Sequence, residues 1–286
     1  MTARASYERI GGAWVAKNPE GKGVIEFYGG AFFELWPQLF YAEYLQGLFD
    51  AGYHIVGVPF AFSFDHTNIA VDLVHRRRQI SRALGFPRSS REFPHFWVGH
   101  SVGCKIISLL QILLGGTGPS GNAAQPALLL APDISDTGSA VPWPISWALD
   151  ALGLGVKPTE SQTKTILFGR TDVLALAGLI SFANDTIAGN AAGTLPKRGD
   201  SSVKWFIETL AGRLSPERAS RFVHAELPGG HLTPLGFELG GRPRAVARVL
   251  GRKMLRTNGC RASAIGPLVA QSLLLLEELR SQIAIG

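Results

Sequence analysis

Several short stretches of the chain are apolar almost throughout: Tyr53–Val58 (YHIVGV), Pro94–Val98 (PHFWV), Pro126–Ala131 (PALLLA) and Lys164–Phe168 (KTILF). A strand with one wet face alternates polar and apolar residues, whereas a strand buried on both faces does not. Between and around these stretches lie segments with helical period. Pro37–Asp50 starts on a proline suited to a first helical turn and ends just before Gly52. Asp65–Leu84 repeats Ile69, Leu73, Ile80 and Leu84 and has Asp65 or Thr67 to cap it. Val102–Leu114 places Val102, Ile106, Leu110 and Leu113 on one face, and Ala262–Ile283 reads as a last helix. Gly11–Ala16, Gly23–Phe27 and Arg221–Leu227 complete the strands. Buried strands alternating with helices predict an α/β fold, a doubly wound and mostly parallel sheet with helices on both faces. No linker divides residues 1–286, so a single domain is expected. Two stretches exceed a minimal alternation, 135–162 and 173–220, and read as lid-like insertions, the second with an amphipathic helix over 201–214.

With 286 residues, 46% of them hydrophobic, the chain can bury a substantial core. The runs around Ile106–Leu114 and Leu273–Leu276 fall short of the ~18 residues of a membrane span, and MTARASYERI lacks a signal-peptide core. Cys104 and Cys260 are too few for a disulfide framework or a zinc site. A cytoplasmic protein without metal is the expectation. The formal charge of +6 directs attention to His75-Arg76-Arg77-Arg78 on the second helix. A solvated helix face explains this run better than nucleic acid, for which no RNA-binding signature or repeat is present. Peripheral contact with an anionic membrane surface stays compatible with the charge.

The stretch HFWVGHSVGCKII contains Gly99-His100-Ser101-Val102-Gly103 between an apolar strand and an apolar helix. A G-x-S-x-G match by itself is weak. Framed by strand and helix it becomes a nucleophile elbow, in which a strained turn lifts the serine hydroxyl above the sheet. Ser101 then needs a base. Of seven histidines, His54, His95 and His224 sit on strands, His66 and His75 on or near the basic helix, and His100 in the elbow, pointing away from the serine. His231, in LPGGHLTP after the last strand, remains. The base needs an acid to orient it. Asp172, after KTILFGRT, is favoured and Asp133, after PALLLAP, is the alternative; Asp136 and Asp185 are more remote candidates. An oxyanion hole would draw on the Val102 amide and on Gly30 or Ala31 in the early loop EFYGGAFF.

These residues resemble a family. GHSVG, GRTD and PGGH look like the triad loops of α/β-hydrolases. EFYGGAFF, GYHIVGVPFAFSFDH and GHSVGCKI are similar to the family called domain of unknown function 1350, found in cyanobacteria and plant plastids. The resemblance covers most of residues 8–235. It implies the α/β-hydrolase fold, Ser101 as nucleophile, Asp172 as acid and His231 as base, and it supplies no substrate. Tyr28-Gly29 stands where many superfamily members have His-Gly, and the step from Asp172 to His231 is long for one helix and one strand. The expected activity is that of a serine hydrolase (esterase, thioesterase or lipase-like) acting on a small ester or lipid-like acyl substrate, without cofactor. An acyltransferase of the same fold and a catalytically silent binding protein are the alternatives. Phe32, Phe33, Trp36, Phe60, Phe62 and Phe64 flank the expected site and suit an apolar acyl group.

Overall fold

The computed structural model describes residues 4–115, 125–135, 155–196, 200–213, 216, 222–236 and 262–283. Its eight strands are β1 (Glu8–Ile10), β2 (Ala13–Ala16), β3 (Val24–Tyr28), β4 (His54–Gly57), β5 (His95–His100), β6 (Ala127–Leu130), β7 (Ala177–Phe182) and β8 (Val223–Leu227). They form one sheet in the order β1-β2-β4-β3-β5-β6-β7-β8. β1 and β2 pair antiparallel, β2 joins β4 antiparallel, and every later pairing is parallel. The parallel strands β6 and β7 are buried at every position, as their lack of polar alternation requires.

Among the described residues the helices are α1 (Pro37–Phe40), α2 (Ala42–Asp50), α3 (His66–Leu84), α4 (Val102–Leu114), α5 (Glu160–Gly169), α6 (Ser202–Arg213) and α7 (Ala262–Ser281). α3 packs on α4, and α2 packs on α7. β3 shows how alternate residues serve the two layers. Phe27 sets its ring edge-on against Tyr41, 4.6 Å between centroids, at the start of α2. Glu26 faces the other way and receives Arg77 of α3 through Nε at 2.7 Å and Nη2 at 2.8 Å. Burial pushes the Glu26 carboxyl up, yet the guanidinium outweighs it and holds the group below its ordinary value. Arg77 also lies 4.2 Å from the Trp97 ring centroid, and Arg76 donates to the Pro59 carbonyl at 2.8 Å. The basic run is therefore only partly a solvated face: His75 and Arg78 are exposed, while Arg76 and Arg77 fasten α3 to the sheet.

Three expectations need correction. KTILF is not a strand but the body of α5, which begins in a capping box: Thr159 accepts from the Gln162 amide and the Gln162 side chain accepts from the Thr159 amide. The strand that pairs with β6 is β7, so 177–182 belongs to the sheet rather than to a lid. The expected helix over Pro37–Asp50 is two helices, with Tyr41 at the break. The amphipathic helix expected over 201–214 is α6. Residues 136–154 of the first suspected lid, and Asp136 with them, lie outside the described residues. No helix among the described residues is long and apolar enough to cross a membrane.

Between β3 and β5 the order of connection reverses: β3 leads outward to β4, and the chain then returns past β3 to β5. In open parallel sheets the crevice at the carboxyl ends of such strands is where ligands bind. The loop after β3 and the GHSVG turn after β5 both open into it.

Candidate active site

Ser101 occupies the turn between β5 and α4 with φ 56° and ψ −124°, a left-handed backbone that few non-glycine residues adopt. Its amide donates to the Leu130 carbonyl at 3.0 Å, and its carbonyl accepts from the Cys104 amide at 2.9 Å, so both sides of the turn are held. The flanking glycines answer a packing need. A Cβ on Gly103 would lie 2.3 Å from the Tyr28 carbonyl oxygen, and one on Gly99 would lie 2.7 Å from Ile107 Cδ1. This tight turn thus exists because the helix can press directly onto the tips of β3 and β5.

The structure brings Ser101 and His231 together. His231 Nε2 is 2.8 Å from Ser101 Oγ, and both residues are buried. His231 rides on the loop after β8, where Gly229 takes φ 129° and Thr233 ties the turn by accepting from the Gly230 amide at 3.0 Å.

The third member of the chain is Asp185, not Asp172. Asp185 Oδ2 lies 2.8 Å from His231 Nδ1, and its Oδ1 accepts from the amides of Ile187 at 2.8 Å and Ala188 at 3.0 Å. Its side chain is fully buried, with every carboxylate oxygen engaged. Asp172 sits in the 3-10 turn Thr171–Leu174 that precedes β7, at the amino end of that strand. It pairs with Arg170 at 3.2 Å, and its side chain is 43% exposed. The correction follows from α5: once KTILF is a helix, GRTD lies at the wrong edge of the sheet. Asp133, the alternative, follows β6 at the correct edge, but its Oδ1 accepts from the amide and hydroxyl of Ser135. It is the Asp133 amide, not the side chain, that approaches Ser101, donating to its carbonyl at 3.4 Å.

Burial pushes His231 down, but the Asp185 carboxylate and its hydrogen bond, with a smaller contribution from Asp133, carry it above the ordinary histidine value of 6.5. The imidazole is thus supported in the protonated form by a buried anion on its far side.

The suggested oxyanion donors separate. The Gly30 amide donates to the Tyr41 hydroxyl at 2.8 Å and is already engaged. Among the described residues the amides of Ala31 and Val102 have no acceptor. Gly30 lies against Ser101: a Cβ there would be 3.1 Å from Ser101 Cβ. The turn Gly30–Phe33, closed by the Phe33 amide on the Gly30 carbonyl at 3.0 Å, carries Ala31 past the serine. Beyond it the surface is apolar. Phe32 is 55% exposed and stacks on Phe62, 5.0 Å between centroids, and Trp36 and Leu39 are also exposed. Phe60, by contrast, is buried in the core.

Sequence reasoning ranked Asp185 only as a remote candidate, set His100 aside and did not single out Tyr41. For Asp185 a signal existed: ALAGLISF is an apolar run, interrupted by Ser181 alone, that ends directly on Ala183-Asn184-Asp185. Tyr41 and His100 carry none, because their roles arise only when distant loops meet.

The fold is similar to that of solved structures. These include TT1662 from Thermus thermophilus, with 15% identity, 98% of this chain and 99% of that chain covered, and a TM-score of 0.52. They include carboxyl esterase 2 from Tuber melanosporum, with 14% identity, 88% and 87% covered, and a TM-score of 0.51. A third is a fungal esterase from Rhizomucor miehei, with 13% identity, 98% and 84% covered, and a TM-score of 0.50. At such identities the likeness concerns the fold, and with the strand order above it is that of the α/β-hydrolases. No curated protein matches the chain in sequence. Residues 6–242 match the family described as "Protein of unknown function (DUF1350)", and to that family the chain belongs.

Proposed function

We propose that this protein is a serine hydrolase that cleaves a carboxylic ester through an acyl-enzyme. One observation carries the reading: Ser101, His231 and Asp185 form a continuous buried chain with 2.8 Å at each link, at the switch point of the sheet. Asp185, fixed by two amides, accepts a hydrogen bond from Nδ1–H, which keeps that proton on Nδ1 and leaves Nε2 bare to take the proton of Ser101. Ser101 Oγ adds to the acyl carbonyl, and the oxyanion falls to the amides of Val102 and Ala31. His231 then passes its proton to the leaving alcohol, and water repeats the sequence to release the acid. The exposed rings of Phe32 and Phe62 beside Ala31 favour an apolar acyl group. That two structural neighbours are named esterases agrees with this reading.

The test is labelling with a fluorophosphonate, which traps an activated serine. Wild type should label and Ser101→Ala should not; a folded wild type that fails to label would overturn the proposal. The same mechanism has a pH signature. His231 acts as base only when neutral, and its value is raised above 6.5. The acid limb of kcat/KM on p-nitrophenyl esters should therefore have its midpoint above pH 6.5, and a midpoint below that would contradict the Asp185–His231 coupling.

A further inference from the structure

His100 precedes the nucleophile, is 1% exposed, and touches neither the serine hydroxyl nor open solvent. Its two ring nitrogens are nevertheless both engaged. Nε2 lies 2.8 Å from the His231 carbonyl oxygen, which can only accept, so Nε2 carries the proton. Burial, and next the neighbouring His231, hold His100 well below the ordinary histidine value, so the ring is neutral and Nδ1 is a bare acceptor. The Tyr41 hydroxyl, 2.8 Å from Nδ1, must donate to it. The phenol oxygen is then free to accept, and it accepts from the Gly30 amide at 2.8 Å. Each donor has one acceptor, and the direction is fixed throughout: Gly30 N–H to Tyr41, Tyr41 O–H to His100 Nδ1, His100 Nε2–H to the His231 carbonyl.

These four residues come from four places. Gly30 follows β3, Tyr41 stands at the break before α2, His100 ends β5, and His231 follows β8. The chain of hydrogen bonds ties the loop bearing Ala31 to the backbone of the histidine that contacts Ser101. We propose that Tyr41 and His100 are positioning residues for the ester hydrolysis inferred above, joining the oxyanion loop to the His231 loop so that both hold their places about Ser101. Neither touches the reacting atoms. Tyr41 also holds His100 in the tautomer whose proton points at the His231 carbonyl; the opposite tautomer would set a bare nitrogen against that oxygen. Because the Gly30 amide is occupied, the loop presents Ala31 as its donor. Buried networks of this kind act through geometry, and a displacement of about 1 Å near reacting atoms can cost about a hundredfold in rate.

The proposal rests on the serine hydrolase reading and is tested separately from it. Tyr41→Phe keeps the ring that packs on Phe27 and deletes only the hydroxyl. Turnover of a p-nitrophenyl ester is measured per active site, each site being counted by stoichiometric fluorophosphonate titration. The expected result is a kcat per titrated site lower by about ten- to a hundredfold, with KM within about twofold of wild type. Affinity for a trifluoromethyl ketone, whose hemiketal oxygen mimics the oxyanion, should fall by the same factor as kcat/KM. A merely structural role would reduce the number of titratable sites and leave these per-site quantities unchanged. A kcat per site within twofold of wild type overturns the proposal. An independent measurement on wild type is the 15N spectrum of the histidine rings: His100 should show a protonated Nε2 and a bare Nδ1, and a protonated Nδ1 overturns the proposal even if Tyr41→Phe does not fold. Failure of wild type to label would remove the hydrolase reading itself, and this one with it.

Discussion

Asp185→Asn is expected to lower kcat on an activated ester by about ten-thousandfold, while Asp172→Asn leaves it within about twofold of wild type. The size of the first effect follows from the two amides that hold the carboxylate. Ile187 and Ala188 donate to Oδ1, and an asparagine would keep its carbonyl oxygen there to accept the same two bonds. Its NH2 group would then replace Oδ2 facing His231 Nδ1, 2.8 Å away. A donor at that point forces Nδ1 to accept, which places the ring proton on Nε2, toward Ser101. The base would face the nucleophile already protonated, in the wrong tautomer, and with no buried anion to stabilise its imidazolium. Among the described residues Asp172 pairs with Arg170 alone, both side chains at least 40% exposed, at the opposite end of β7. The measurement is kcat on p-nitrophenyl esters for the two variants and Asp133→Asn, with melting curves to confirm folding. Loss of turnover in Asp172→Asn with Asp185→Asn unaffected would invert the assignment.

That pair of aspartates also shows where reading the chain alone stops. The strand-turn-helix at GHSVG was legible because its constraints are local: a strand, two glycines and a helix appear within thirteen residues, and α4 lies at Val102–Leu114 as periodicity indicates. The histidine that meets Ser101 was legible because PGGH follows the last strand. The carboxylate that meets His231 was not, because KTILF is short enough to read as strand or helix, and an apolar run of that length has no decisive period. Two cues in the chain point the other way. Thr159-x-x-Gln162 is a capping box that marks a helix start, and the long step from Asp172 to His231 is what a misplaced acid produces. With Asp185 as the carboxylate beside His231 that step loses its excess, because β7 itself lies between Asp172 and Asp185. Arg77 and Tyr41 were illegible for another reason. An arginine in a basic run and a tyrosine at a helix break take their partners from Glu26, Gly30 and His100, residues that only the folded sheet brings near.

Gly103→Ala is expected to destabilise the protein by about 3 kcal/mol and to lower its melting temperature by roughly 6–12 °C. Gly103 is the second residue of α4 and has no positive φ, so alanine is conformationally acceptable there and by helix propensity slightly preferred. The cost is therefore steric alone. The new methyl group would stand 2.3 Å from the Tyr28 carbonyl oxygen and 2.8 Å from that of Gly29. Both obstacles are backbone of β3 and of the loop that leads to Ala31, and no rotamer change relieves them. Relief requires α4 to withdraw from the sheet, which carries Ser101 away from His231 and Val102 away from Ala31. The rate of fluorophosphonate labelling should fall together with the melting temperature. Gly212→Ala is the control, because that glycine lies in α6 with nothing within 4 Å of a new Cβ. It should match wild type or gain up to about 1 kcal/mol. A Gly103→Ala protein that melts and labels like wild type would show that helix and strand do not meet at the elbow as closely as the GHSVG turn requires.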